Sequence, residues 1–154
     1  MKTYIAYGSN MNVVQMQWRC PDAEVVGTGM LEGWKLTFRG NGRCGVANIE
    51  PEEGSSVPVV IWKISPRDER NLDRYEGWPH LYIKDYVDVT YRDRKVSGMA
   101  YIMTDGHKIS GPSGSYLNTI AEGYDAFGLD ASELLRIAVE CGIKEATDEK
   151  DHDD

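Results

Sequence analysis

The sequence is short of cysteine, histidine and positive charge. Its 154 residues include three cysteines, three histidines and 17 Lys and Arg, against 25 Asp and Glu. The cysteines are isolated, odd in number and without a C-x-x-C pair, which predicts reduced thiols rather than disulfides. The histidines have no metal-ligand spacing with each other or with the cysteines. A net charge of −8 opposes nucleic-acid binding. We therefore expect no metal site and no nucleic-acid partner.

Long hydrophobic runs are also missing. The longest, such as residues 59–62, fall far short of the ~20 residues that a membrane-spanning helix needs. The apolar stretch near the first residue is too short and too polar for the centre of a signal peptide. We expect a soluble cytoplasmic protein without a membrane partner. Length and composition suit one domain, assigned to residues 1–146, and the highly charged residues 147–154 are expected to form a disordered acidic tail.

Short apolar and aromatic segments dominate the first two thirds of the chain. Turn residues stand at the ends of these segments. The pattern predicts strands at residues 3–7, 24–30, 34–39, 44–49, 57–64, 82–91 and 96–103. Helical spacing and capping patterns predict helices at residues 11–18, 65–75, 117–127 and 130–142. This order predicts an α+β fold with a small curved or barrel-like, mixed but mostly antiparallel sheet and flanking helices.

The glycines at positions 40, 42 and 45 match the dinucleotide-binding fingerprint as a string of letters. That fingerprint requires a helix whose N-terminus faces the pyrophosphate. Residues 46–49 are instead typical of a strand, so we expect a hairpin turn at residues 40–42. The nucleotide-cofactor hypothesis is rejected on this ground.

Glu76 stands at an unfavourable place in its predicted helix. Ser65, Pro66 and Asp68 predict a capped start, and Gly77 predicts the end. A carboxylate is disfavoured at the carbonyl end of a helix dipole, and the apolar neighbours of Glu76 would raise its pKa by desolvation. Such a group can act as a general base and then as a general acid. The alternative is a solvated glutamate at a frayed helix end, and the residues alone favour that alternative.

A second unusual string follows the first predicted strand. Tyr7, Gly8, Ser9 and Asn10 combine a strand end, a glycine and two small polar residues at the start of a helix. Free N–H groups at such a place can form an anion pocket. A simple strand-to-helix turn capped by Asn10 explains the same residues equally well.

Together these strings make the chain resemble the γ-glutamylcyclotransferase-like family over most of its length. The most specific strings are residues 7–11 (Tyr-Gly-Ser-Asn-Met) and 72–77 (Leu-Asp-Arg-Tyr-Glu-Gly), in the order and separation that the family shows. Further matches are residues 33–38, His80 with Tyr82, residues 101–103, and Pro112-Ser113 with Tyr116 ahead of Gly128.

The resemblance implies a cofactor-independent enzyme that cyclises a small-molecule γ-glutamyl amide to 5-oxoproline and a free amine or amino acid. It implies that Glu76 is the catalytic glutamate. The implied substrate-binding residues are Tyr7, Gly8, Ser9, Asn10, Tyr82 and Tyr116, with Tyr101 a weaker candidate. Two alternatives stay open: a non-catalytic module of the same fold that binds a metabolite or protein, and a serine or cysteine hydrolase using the same pocket. The sequence gives no indication of the oligomeric state.

Overall fold

The computed structural model describes residues 1–40 and 44–152, with side chains up to residue 149. Within this part of the chain the strands form one sheet: β1 Lys2–Ala6, β2 Glu24–Gly40, β3 Val46–Ile64, β4 Tyr82–Tyr91, β5 Arg94–Met103 and β6 Lys108–Ile109. The strand order is β3-β1-β5-β4-β2-β6, and β2 also pairs with β3. That extra pairing closes five strands into a barrel, which confirms the predicted α+β fold with a barrel-like sheet. Only the β1–β5 pair is parallel among these pairings.

A 3₁₀ turn and four helices surround the sheet in the described residues. The turn is Ser9–Met11, and the helices are α1 Val13–Arg19, α2 Pro66–Glu76, α3 Gly114–Ala126 and α4 Ser132–His152. Alternate strand residues bury their side chains in the core, among them Ile5, Phe38, Ile49 and Ile61. Leu72 of α2 and Ile120 of α3 are also fully buried, which attaches both helices to the sheet. Among the described residues, no helix has both the length and the apolar character needed to cross a membrane.

The two longest strands differ from the sequence expectation. Residues 24–30 and 34–39 were expected as two strands joined by a turn, but they form the single strand β2. Gly33, with φ 84°, lies at a shift in register between Glu32 and Trp34, so it makes a bulge instead of a turn. Residues 46–49 and 57–64 likewise belong to one strand, β3, which pairs with β2 from Val46 to Pro51 and again from Ser56 to Lys63. Residues 44 and 45 of the expected strand lie before β3.

The signals at both ends of α2 are confirmed. The Ser65 hydroxyl accepts a hydrogen bond from the Asp68 N–H at 3.1 Å, and the Asp68 carboxylate accepts one from the Ser65 N–H at 3.2 Å. Gly77 closes the helix in the left-handed conformation, with φ 66°. Glu76 is therefore the last residue of a helix that is capped at both ends.

The end of α4 also differs from the expectation. The helix continues past Gly142, where a stop was expected, and into the predicted tail as far as His152. Gly111 packs closely against this helix, since a Cβ added at Gly111 would lie only 3.0 Å from the Cα of Gly142. The predicted boundary at residue 146 therefore does not coincide with an end of secondary structure, and the division of the chain stays a prediction. The predicted turn at residues 40–42 lies partly outside the described residues.

Candidate active site

One cavity of about 220 Å³ lies where β1 leads into the 3₁₀ turn and where α2 ends. Its lining includes all seven residues that the sequence analysis singled out as the catalytic glutamate and the substrate-binding set: Tyr7, Gly8, Ser9, Asn10, Glu76, Tyr82 and Tyr116. The other lining residues are mainly aromatic or apolar: Tyr4, Val46, Ala47, Tyr75, Leu81 and Tyr101. Two strings that are far apart in the sequence thus meet at one place in the barrel.

The segment from Tyr7 to Asn10 forms the floor of this cavity. The Gly8 carbonyl accepts the Met11 N–H at 3.0 Å, which begins the 3₁₀ turn. A Cβ at Gly8 would lie 3.0 Å from the Cβ of Ala47, so the missing side chain allows the loop to lie against β3. The N–H groups at the start of a helical turn have no partner within it and point outward. Asn12, rather than Asn10, is the N-cap of α1, and its side chain accepts the Gln15 N–H at 3.1 Å.

Glu76 directs its carboxyl group into the cavity instead of outward to solvent. The residue as a whole is partly exposed, but burial of the carboxyl group raises its pKa from 4.5 to about 7. The nearby positive charge of Arg19 and a hydrogen bond from Asn10 lower the pKa and so limit this rise. The alternative of a solvated glutamate at a frayed helix end is therefore wrong.

Asn10 joins the loop to the glutamate. Its Nδ2 donates to Glu76 Oε1 at 3.2 Å and to the Tyr4 hydroxyl at 2.9 Å, while its Oδ1 accepts from Arg19 Nη1. Its main-chain carbonyl accepts from Trp62 Nε1 at 3.0 Å. Both the main chain and the side-chain amide of Asn10 are thus held by residues of the barrel and α1.

Arg19 and Tyr75 belong to the site environment, and sequence analysis missed both. The guanidinium carbon lies 3.4 Å from the centre of the Tyr75 ring, and the Tyr75 hydroxyl is 2.9 Å from Ser9 Oγ. Arg19 looked like an ordinary basic residue in the last turn of a helix. The sequence does carry a signal that could have identified Tyr75 as a site residue, since it lies within the family string beside Glu76.

Three tyrosines bind the main chain of β3 and of β5 at the cavity wall. Tyr82 donates to the Ala47 carbonyl at 2.6 Å, and Tyr116 accepts the Ala47 N–H at 3.0 Å. Tyr7 donates to the Tyr101 carbonyl at 2.5 Å. Burial raises the pKa of these three tyrosines and of Tyr101 above the usual value of 10.0. Their hydroxyls therefore stay protonated at neutral pH.

Comparison with known proteins identifies relatives of this chain. Residues 4–118 match the model of the family described as gamma-glutamyl cyclotransferase, AIG2-like. The gamma-glutamylcyclotransferase of Homo sapiens is 30% identical over 136 residues, covering 82% of this chain and 71% of that protein. The Bos taurus protein of the same name is 31% identical with the same coverage.

A solved structure named gamma-glutamyl cyclotransferase has the same fold. It superposes with a TM-score of 0.79 at 26% identity, covering 88% of this chain and 85% of that chain. The matching family model spans the loop, Glu76, Tyr82 and Tyr116, which together line the cavity. On these findings the chain belongs to the γ-glutamylcyclotransferase family of enzymes.

Proposed function

We propose that this chain cyclises a γ-glutamyl amide to 5-oxoproline and releases a free amine or amino acid, with Glu76 as the general base and then the general acid. The observation that carries the proposal is the Glu76 carboxyl group, which lies in the cavity with a pKa of about 7. At that pKa a carboxyl group exchanges protons readily near neutral pH. The family relationship and the location of Glu76 beside the loop of residues 7–10 support the same assignment.

The reaction is an intramolecular transfer of an acyl group. The α-ammonium of the glutamyl group gives a proton to the Glu76 carboxylate, and the freed α-amine attacks the γ-carbonyl carbon. The attached α-nitrogen then releases its surplus proton, and the bond from the γ-carbonyl carbon to the leaving nitrogen breaks. The leaving nitrogen takes one proton from Glu76 and this released proton, so the amine departs as its ammonium form and the Glu76 carboxylate is restored. Water is not consumed, and the chemistry requires no metal or cofactor. Holding the two reacting ends together can supply roughly 7–11 kcal/mol of the barrier reduction.

The remaining predicted residues bind the glutamyl end of the substrate in this proposal. Main-chain N–H groups around Gly8 and Ser9 bind the α-carboxylate or the developing oxyanion. Tyr82 and Tyr116 form the cavity wall, and the hydroxyl of Tyr116 keeps its proton for donation because it acts as an acceptor toward Ala47. The substrate is thus a small molecule, and we place the reaction in the cytoplasm on the basis of the sequence features above.

A panel of γ-glutamyl amides tests the reaction. Mass spectrometry would measure 5-oxoproline release from γ-glutamyl amino acids and γ-glutamylamines, with the matching N-acetylated amides as controls. An acetylated α-nitrogen cannot act as the nucleophile, so we expect release from the free amides and none from the controls. In ¹⁸O-labelled water the 5-oxoproline should be unlabelled.

Two outcomes would contradict the proposal. Glutamate carrying ¹⁸O would show hydrolysis by a serine or cysteine mechanism instead of cyclisation. Binding of several γ-glutamyl amides without release, by a protein shown to be folded, would favour the non-catalytic binding module.

A further inference from the structure

The Arg19 side chain, at the end of α1, makes three contacts, two of them with residues that line the cavity. Its Nη1 donates to Asn10 Oδ1, its Nη2 donates to Gln15 Oε1 at 2.9 Å, and its guanidinium plane lies on the ring of Tyr75. Asn10 and Tyr75 both line the cavity, whereas Arg19 does not. The edge of the guanidinium thus binds an amide, and its face binds an aromatic ring. Lysine, which has no planar group, cannot make both contacts in this way.

The side-chain amide of Asn10 has two orientations with opposite chemistry. In one, Nδ2 faces Glu76 and can donate to the carboxylate; in the other, Oδ1 faces Glu76 and repels it. The main chain of Asn10 is held by Trp62, so rotation of the amide is the freedom that remains. A guanidinium can only donate hydrogen bonds, so its bond to Oδ1 selects the orientation in which Nδ2 faces Glu76.

We propose that Arg19 is a positioning residue of the cyclotransferase reaction, which fixes the Asn10 amide so that its N–H holds the Glu76 carboxylate in place. This inference rests on the proposed role of Glu76. Arg19 itself touches neither the cavity nor the reacting atoms, and it acts through Asn10.

The charges around Glu76 make this role measurable. Arg19 is a cation whose field lowers the pKa of Glu76 against the effect of burial. The other titratable groups facing the cavity include tyrosines from four further elements, which stay neutral near pH 7: Tyr4, Tyr7, Tyr82, Tyr101 and Tyr116. Tyr75 of α2 lies beside them. Removal of the Arg19 charge should therefore move the titration of Glu76 to higher pH.

Three variants separate charge from positioning. Arg19→Gln removes both the charge and the fork of donors, Arg19→Lys keeps the charge but lacks the planar fork, and Arg136→Gln removes an exposed arginine of α4 as a matched control. Two measurements apply to each: kcat between pH 5 and 9, and the ¹³C NMR titration of the Glu76 carboxyl carbon, which needs no activity.

We expect a distinct result for each variant. Arg19→Gln should lower kcat by about 10- to 100-fold, because displacement of a reacting group by about 1 Å can cost about 100-fold, and should move the Glu76 midpoint to higher pH. Arg19→Lys keeps the charge, so it should raise the Glu76 midpoint less than Arg19→Gln does, yet still lose kcat. Arg136→Gln should behave as the native enzyme in both measurements.

Specific results would overturn the inference. An unchanged Glu76 midpoint in Arg19→Gln would do so even if the native protein released no 5-oxoproline, a result that would separately refute the proposed function. Native kcat in Arg19→Lys would reduce Arg19 to a charge without a positioning role. A loss of kcat that matched a loss of folded protein, with the native midpoint, would show a purely structural role.

Discussion

Asn10 Nδ2 lies 3.2 Å from Glu76 Oε1, although 66 residues separate the two in the sequence. This hydrogen bond joins the loop after β1 to the last residue of α2. The proposed binding loop and the proposed acid–base group are therefore in direct contact. Burial raises the pKa of Glu76 to about 7, while this bond favours the ionised form. The balance of the two effects is the basis of the first two predictions that follow.

The first prediction concerns the pH dependence of activity. The proposed base is the ionised carboxylate, so kcat/KM should fall as pH decreases through about 7 and Glu76 becomes protonated. Below that pH the decline should approach about tenfold per pH unit, as for a single essential base. Rates of 5-oxoproline release at low substrate concentration between pH 5 and 8 measure it. A kcat/KM that stays constant down to about pH 5 would contradict the assignment.

The second prediction concerns stability. Because the pKa of Glu76 is higher in the folded protein than the usual 4.5, its contribution to stability is complete below pH 4.5 and is lost as pH rises through about 7. A rise of the Glu76 pKa from 4.5 to about 7 corresponds to about 3 kcal/mol, at roughly 1.4 kcal/mol per pH unit. Relative to Glu76→Gln, the native protein should lose about that much unfolding free energy between pH 4.5 and 8.

Urea unfolding at several pH values checks this difference. Glu53→Gln, which removes an exposed carboxylate, is the matched control. A difference between native and Glu76→Gln that did not change with pH would show that burial of the carboxyl group has no energetic effect.

The third prediction compares two tyrosines on the same main-chain residue. Tyr82→Phe leaves the Ala47 carbonyl without its donor, and Tyr116→Phe leaves the Ala47 N–H without its acceptor. Each should destabilise the fold by about 1–3 kcal/mol, the cost of an unsatisfied buried polar group. Tyr116 retains a proton for substrate, so its loss should also raise KM by up to about tenfold, the worth of one hydrogen bond.

Thermal unfolding and steady-state kinetics distinguish these effects. Tyr124→Phe, which alters a buried tyrosine of α3 that does not line the cavity, controls for the loss of a hydroxyl in the core. Equal KM values for the Tyr82 and Tyr116 variants would argue against a substrate contact by Tyr116.

Local signals made α2 predictable, and the order of the elements predicted a curved or barrel-like sheet. The strand pairings that close the barrel could not be predicted in this way. Ser65, Asp68 and Gly77 act on neighbouring residues, so their capping roles can be inferred from the sequence. Closure depends on pairing between β2 and both β3 and β4, and on the parallel contact of β1 with β5, which join distant segments. Glycine and proline commonly end strands, but here Gly33 forms a bulge within β2 and Pro51 lies within β3.

The candidate site likewise depends on contacts between distant segments, which local sequence patterns do not predict. The residues alone favoured a solvated Glu76, because its enclosure depends on Asn10 and the tyrosines, which approach from other elements. The family resemblance supplied the relation that local patterns lacked. Arg19 was missed because a basic residue in the last turn of a helix is common, and its contact with Asn10 exists only after folding.

The most direct test of the account compares the native protein with Glu76→Gln and Glu76→Asp in release of 5-oxoproline at pH 7. Glutamine keeps the shape of the side chain but cannot exchange the proton, so a loss of about 100-fold or more is expected for general acid–base catalysis. Aspartate shortens the side chain by about 1 Å, which can also cost about 100-fold. Circular dichroism and unfolding curves confirm that each variant is folded. Full activity in folded Glu76→Gln would contradict the account.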